Sequence, residues 1–193
     1  IRKAVWKAAG ACKDITAAHL QAVADLLEKQ TGRYVKLPYG LTATRVYNVI
    51  EIMGKRKETE KICLPIDTDR LPENLLAGEW KFSFKKFLYD GNTDKIPRKM
   101  YTKWFDYDKI KDSLAIRNRR KGDYFVLDAA GHHKKLEDYF VNEKIPASHR
   151  DEQLLLAGED EIFWIVGGRM AYGTGISDAT RWVLEITASN SSH

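Results

Sequence analysis

Between Ile116 and Phe125 the chain reads IRNRRKGDYF, which sets Arg117, Arg119, Arg120 and Lys121 within five positions and ahead of the first acid, Asp123. Like charges this dense repel one another. The chemistry they offer is anion binding, with forked hydrogen bonds from Arg and point charges from Lys, the means by which proteins grip a phosphate backbone. Strand alternation puts Arg117 and Arg119 on one face and Arg120 with Asn118 on the other. One flat strand cannot aim all four at a single ligand, whereas a bend at Lys121-Gly122 can. The competing reading is a solvated edge strand guarded by charge, with an Arg120–Asp123 ion pair.

A second basic run, HHKK at 132–135, follows Gly131 and opens what reads as one short helix. Leu136, Tyr139 and Phe140 recur at i, i+3, i+4, and Pro146 ends the pattern. Helix N-termini attract anions through free N–H groups and the macrodipole. Lysines there disfavour the helix alone, a conflict that a phosphate beside Lys134 and Lys135 relieves. The bland alternative is exposed lysines costing roughly a few tenths of a kcal/mol each. His132-His133 is a poor metal pair, because adjacent side chains diverge and no carboxylate or thiol lies at ligand spacing. GGRMAYGTG at 167–175 lacks the Lys-Ser/Thr ending of a phosphate loop and reads as a turn from which Arg169 projects. No serine or cysteine carries a nucleophile's local signature, so no catalytic residue and no metal site is nominated.

The elements that must position these residues sit in a chain of 193 residues, 44% apolar and 31% charged, with net charge +5 and pI about 9.1. That is a globular composition with a basic balance that suits an acidic partner. Cys12 and Cys63 are too far apart for a zinc motif and fit a reducing cytoplasm better than a disulfide framework. No apolar run approaches the ~20 residues of a membrane span. The opening IRKAVW, with neither Met nor signal peptide, reads as a fragment of a longer frame.

Thr16 is a candidate N-cap for a helix through Leu20, Val23, Leu26 and Leu27 that stops at Gly32, after a shorter helix ending near Gly10. RYVKLPYGLTATRVYNVIEIM reads as a hairpin about Pro38-Tyr39-Gly40. The charge run 54–61 reads as a loop or hairpin tip. GEWKFSFKKFLY and MYTKWFDYDKI read as aromatic strands. Trp80, Phe82, Phe84, Trp104 and Phe105 are assigned to core rather than to base-stacking platforms. A boundary is expected near Asp108, dividing residues 1–108 from 109–193. Beyond it come a strand interrupted at Gly122-Asp123, the short helix, the apolar hairpin QLLLAGEDEIFWIVGG, a Ser177 cap, a last strand and a frayed ASNSSH tail. The fold class is α+β: two small domains, a helix with antiparallel hairpins followed by a mixed α/β domain.

Several motifs occur here in one order: RNRRKGD, KKLEDYFVNEKIPASHRD, LLLAGEDEIFWIVGGRM and ISDATRWVLEI, preceded by KDITAAHLQAVADLLEKQTGRYVKLPYGLTATRVYNVIEI. In that order and spacing they resemble the C-terminal part of the tRNA(Ile)-lysidine synthetase family. The resemblance implies a parent ligase that joins lysine to the wobble cytidine of tRNA(Ile) using ATP and Mg, in an N-terminal domain marked S-G-G-x-D-S. This sequence has no such motif; its Gly167-Gly168 stands between Val166 and Arg169. The resemblance therefore implies no cofactor and no turnover for this stretch. Residues 1–108 become a linker domain and 109–193 a tRNA-binding domain directed at the acceptor stem. Arg117, Arg119, Arg120, Lys121, Lys134, Lys135 and Arg169 would be its backbone contacts, and homodimerisation of the parent is compatible with this. DAAGHH and AYGTG depart from the family pattern. The rival reading is a protein-interaction or oligomerisation module, with the aromatic strands at 80–88 and 100–107 as its interface.

Overall fold

A computed structural model describes residues 1–10, 13–54 and 61–190; Cys12, most of the charge run 54–61 and the end of the tail lie outside them. The chain divides into two compact units, Ile1–Thr59 and Glu60–His193.

The first unit holds α1 (Arg2–Ala9), α2 (Ala17–Asp25), β1 (Tyr34–Lys36), β2 (Thr42–Val46) and β3 (Val49–Met53). Thr16 caps α2 as expected. Its hydroxyl accepts from the His19 backbone N–H, and the His19 ring accepts in turn from the Thr16 backbone N–H, a reciprocal capping box. The expected hairpin is instead a three-stranded antiparallel meander, β1-β2-β3. Its second arm folds back on itself, with Tyr47 at φ 49 between Val46 and the Val49 with which it pairs. Val5, Val23, Leu26, Leu37, Leu41 and Ala43 form its core.

The second unit contains β4 (Cys63–Pro65), β5 (Asn74–Ala77), β6 (Trp80–Leu88), β7 (Thr102–Asp106), α3 (Tyr107–Ile110), β8 (Ala115–Arg117), β9 (Tyr124–Val126), β10 (His133–Lys135), α4 (Leu136–Asn142), α5 (Ala147–Arg150), β11 (Leu155–Ala157), β12 (Ile162–Ile165) and β13 (Trp182–Asn190). Few helices and several antiparallel sheets make the chain α+β. Two four-stranded sheets dominate, ordered β12-β11-β8-β4 and β5-β6-β13-β7. The boundary expected at Asp108 is overturned. β4 pairs with β8, and β13 lies between β6 and β7, so both sheets join strands from the two sides of that position. The last strand also runs on to Asn190, through the first half of the tail expected to fray.

Strands β8, β11 and β12 of the first sheet are buried on both faces, whereas the edge strand β4 leaves Cys63 and Pro65 exposed. Leu156, Ile116 and Trp164 face the other sheet and meet Phe82, Phe84, Phe105, Leu184 and Ile186. Leu155, Ala157, Ile162 and Ile165 face the opposite way and meet Phe125, Leu136 and Phe140 from the β9–β10 hairpin and α4. Each such side chain contributes roughly 1.5–3 kcal/mol by leaving water. Most of the expected aromatics therefore fill this core. Trp104 does not: it lies outside both clusters, on the far face of its sheet.

Candidate nucleic-acid interface

Arg117 sits opposite Leu155 and Cys63 in the sheet register, so alternation turns its side chain toward the apolar layer under α4. It is 1% exposed. A charge placed there must be neutralised and hydrogen-bonded. Asp123 does this with a two-oxygen fork, at 2.9 and 2.8 Å, and the Asn118 and Glu159 carbonyls accept at 3.1 and 2.8 Å. Nε alone finds no partner among the described residues. The same carboxylate accepts the Arg120 backbone N–H at 2.7 Å, and Gly122 takes the left-handed φ of 98 that closes the turn. Asn118 anchors the near end by exchanging hydrogen bonds with the Ile62 backbone at 2.8 and 3.0 Å. Arg117 is thus a buckle for the loop and is withdrawn from the set of nucleic-acid contacts. The expected Arg120–Asp123 side-chain pair is replaced by Arg117–Asp123.

The loop holds three other cations at the surface. Arg119 is 32% exposed and bonds Asp151 at 2.7 Å, with Glu137 at 3.9 Å, so an incoming phosphate must compete with two carboxylates. Arg120 is exposed and its Nη2 lies 3.0 Å from the Cys63 sulfur. Lys121 is exposed and carries no ion pair among the described residues.

The HHKK run does not open a helix. His133–Lys135 is β10, paired antiparallel with β9, and the helix starts only at Leu136. Its first turn is acidic, Glu137 and Asp138, which satisfies the dipole without a bound anion. Strand alternation separates the two lysines. Lys135 lies opposite Tyr124 and is exposed, whereas Lys134 lies opposite Phe125 and is half-buried, its ammonium beside the Asn142 side-chain amide. The Leu136 N–H donates to the Asp123 carbonyl at 2.9 Å, and this bond brings Lys135 to the edge of the Arg119–Lys121 loop.

Arg169 stands elsewhere. Its guanidinium lies 5.6 Å from the Phe125 ring centre and donates to the Leu127 carbonyl at 3.4 Å, at the opposite end of β9 from Asp123. Three residues of strand, about 10 Å, separate the two ends. Arg169 projects from a tight turn, as expected, and Gly167 beside it leaves room for the Tyr101 ring, which an added Cβ would meet at 2.7 Å. Burial, and then Glu143, raise the Tyr139 hydroxyl above its ordinary pKa, while Arg169 opposes that shift.

His132 serves the turn between β9 and β10. The His132 ring lies 2.9 Å from Asp128, whose carboxylate also accepts the Ala130 and His132 N–H groups to close the β9–β10 turn. The His132 contact holds the Asp128 carboxyl below the usual carboxylate range. Among the described residues no group of three His, Cys, Asp or Glu could hold a metal, and no helix is long and apolar enough to cross a membrane.

Residues 114–186 match the family described as "TilS substrate C-terminal domain". The tRNA(Ile)-lysidine synthase of Caldanaerobacter subterraneus subsp. tengcongensis is 32% identical over 187 residues, covering 96% of this chain and 39% of its own. Residues 114–186 are thus a match to a domain of that family, and nearly the whole chain is similar to tRNA(Ile)-lysidine synthases. The synthase of Clostridium perfringens (strain ATCC 13124) is 29% identical over 195 residues, covering 97% of this chain and 41% of its own. The chain therefore spans about two fifths of the length of the curated relatives it matches. A solved structure titled "Crystal structure of TILS C-terminal domain" shares the fold at a TM-score of 0.50 and 19% identity, over 68% of this chain and 98% of that one. The family match takes in the loop with its buckle, both β10 lysines and Arg169. The strands β4 to β7, which complete the two sheets, precede it.

Proposed function

We propose that this chain is the tRNA-gripping C-terminal portion of a tRNA(Ile)-lysidine synthase, whose whole enzyme ligates lysine to the wobble cytidine of tRNA(Ile) with ATP. The observation that carries this reading is the loop Arg119–Lys121, fixed from beneath by the Arg117–Asp123 pair and joined at Leu136 to Lys135. Arg120, Lys121 and Lys135 then supply cations from two distant stretches of sequence to one edge, with Arg119 available on exchange of Asp151. Lys134 and Arg169 extend the contact at lower weight. Such a surface suits an A-form stem, read by shape, phosphates and 2′-hydroxyls because its deep groove is closed to side chains. The acceptor stem is the part of the tRNA assigned to it. Its work is orientation: distal binding energy delivers one cytidine to chemistry performed elsewhere.

The Gly167-Gly168 turn lacks the Lys-Ser/Thr ending of a phosphate loop, and the proposal assigns lysine transfer to no residue of this chain. The test is tRNA binding across salt. About five phosphate contacts lose affinity several hundredfold, on the order of 10² to 10³, between 50 and 200 mM salt. Binding that ignores salt, or is absent at low salt, rejects the proposal.

A further inference from the structure

We infer that the open face of the β5-β6-β13-β7 sheet is a second RNA surface, one that stacks unpaired nucleotides. One face of this antiparallel sheet buries Phe82, Phe84, Phe105, Leu184 and Ile186. Alternation sends Lys81, Ser83, Lys85 and Phe87 of β6, and Thr102 and Trp104 of β7, to the other. Phe87 and Trp104 stand on strands separated by β13, yet their rings meet edge to face at 5.0 Å. They close over Val183, which is 0% exposed, and remain half-exposed themselves. Neither belongs to a core cluster of the unit. The Trp104 indole N–H donates to Glu185 at 2.6 Å, which fixes the ring and occupies that acid, while Asp106 on the same face is buried and accepts from the Thr180 hydroxyl. Lys81 and Lys85 are exposed on the same strand and carry no ion pair among the described residues. Hydroxyls of Ser83, Thr102 and Thr187 complete the surface.

The occupant with matching chemistry is an unpaired RNA segment. Its bases carry apolar π-faces for the two rings, its phosphates meet the lysines, and its ribose hydroxyls meet the serine and threonines. A duplex offers no free base face. The surface therefore complements the basic loop, which suits a paired stem. The inference rests on the reading that the partner of this chain is RNA, but it makes a different demand on that RNA.

The test is the affinity of the whole chain for a labelled short oligoadenylate and for an RNA duplex of matched length. The unaltered chain binds the single strand, and Phe87→Leu with Trp104→Leu weakens that binding on the order of tenfold. Lys81→Glu with Lys85→Glu, two exposed positions that leave the core untouched, weakens it as well and flattens its salt dependence. Arg119→Ala with Lys121→Ala separates the two surfaces. Loss of duplex binding with the oligoadenylate retained supports both, whereas unchanged duplex binding counts against the loop and leaves the sheet surface standing. The inference is overturned if the oligoadenylate does not bind, or if both sheet variants bind it as the unaltered chain does. It is also overturned if the sheet lysine variants abolish a concentration-dependent doubling of mass, which would make this face a protein contact.

Discussion

RNRRKGD and HHKK look alike on paper, two basic runs beside a glycine, and they are built in opposite ways. The first turns one arginine inward and uses it. Arg117 and Asp123 close a ring of hydrogen bonds beneath the loop, and the remaining cations ride on that ring. The second lies along a strand with no internal partner of this kind, so adjacent lysines part to opposite faces and only Lys135 is fully presented. Charge density in a sequence therefore measures neither surface charge nor shared aim. Backbone conformation decides both.

The largest effect is expected from the buckle. Arg117→Ala or Asp123→Ala leaves a buried charge unpaired and costs about 3–5 kcal/mol, measured as a fall in the urea midpoint. A loss below about 1 kcal/mol would erase the contrast between the runs. Next, Arg119→Ala with Lys121→Ala should lower the salt slope of tRNA binding by about one unit per contact removed. Stability should shift by no more than about 1 kcal/mol, because these are surface groups. An unchanged slope would mean the loop is structural throughout. Smaller again is the difference within β10: Lys135→Ala should weaken tRNA binding more than Lys134→Ala, and the reverse order would refute the strand assignment of faces.

The smallest effect concerns the turn before β10. His132 holds the Asp128 carboxyl low in the folded chain. A carboxyl depressed in this way stabilises the fold above its unfolded pKa and stops doing so as the pH falls through its folded one. Asp128→Asn should therefore show its deficit near neutral pH and lose it on acidification, as read from melting temperatures across pH. A deficit that grows in acid would contradict the contact.

Local features were legible in the sequence because their causes are local. Thr16 as a cap, the apolar β11–β12 hairpin and the turn carrying Arg169 all rest on neighbours within a few residues. The boundary at Asp108 failed because β13 pairs with β6 about a hundred residues away, and nothing in either strand announces its partner. The cap expected from Ser177 is instead a turn closed by Thr180, whose hydroxyl accepts from the Ser177 N–H and donates to Asp106. The spacing of Leu136, Tyr139 and Phe140 does mark a helix, but that helix begins at Leu136, four residues after His132, and leaves Lys134 and Lys135 on a strand. The Arg117–Asp123 pair did leave a signal: an acid six positions on, just past a glycine able to turn the chain back. Aromatic content alone assigns Trp104 to core, whereas period-two counting from Phe105, its buried neighbour, places it on the opposite face.

The position of β13 has a consequence for how this unit is made. A ribosome that has delivered residues 60–170 has released β6 and β7 with a vacant slot between them, and Phe82, Phe84 and Phe105 uncovered. Among the described residues no other strand pairs there. The unit must wait, open and chaperone-visible, until residue 190 has cleared the exit tunnel. A chain interrupted before then leaves β6 and β7 without the strand that joins them, and leaves that aromatic surface prone to aggregation.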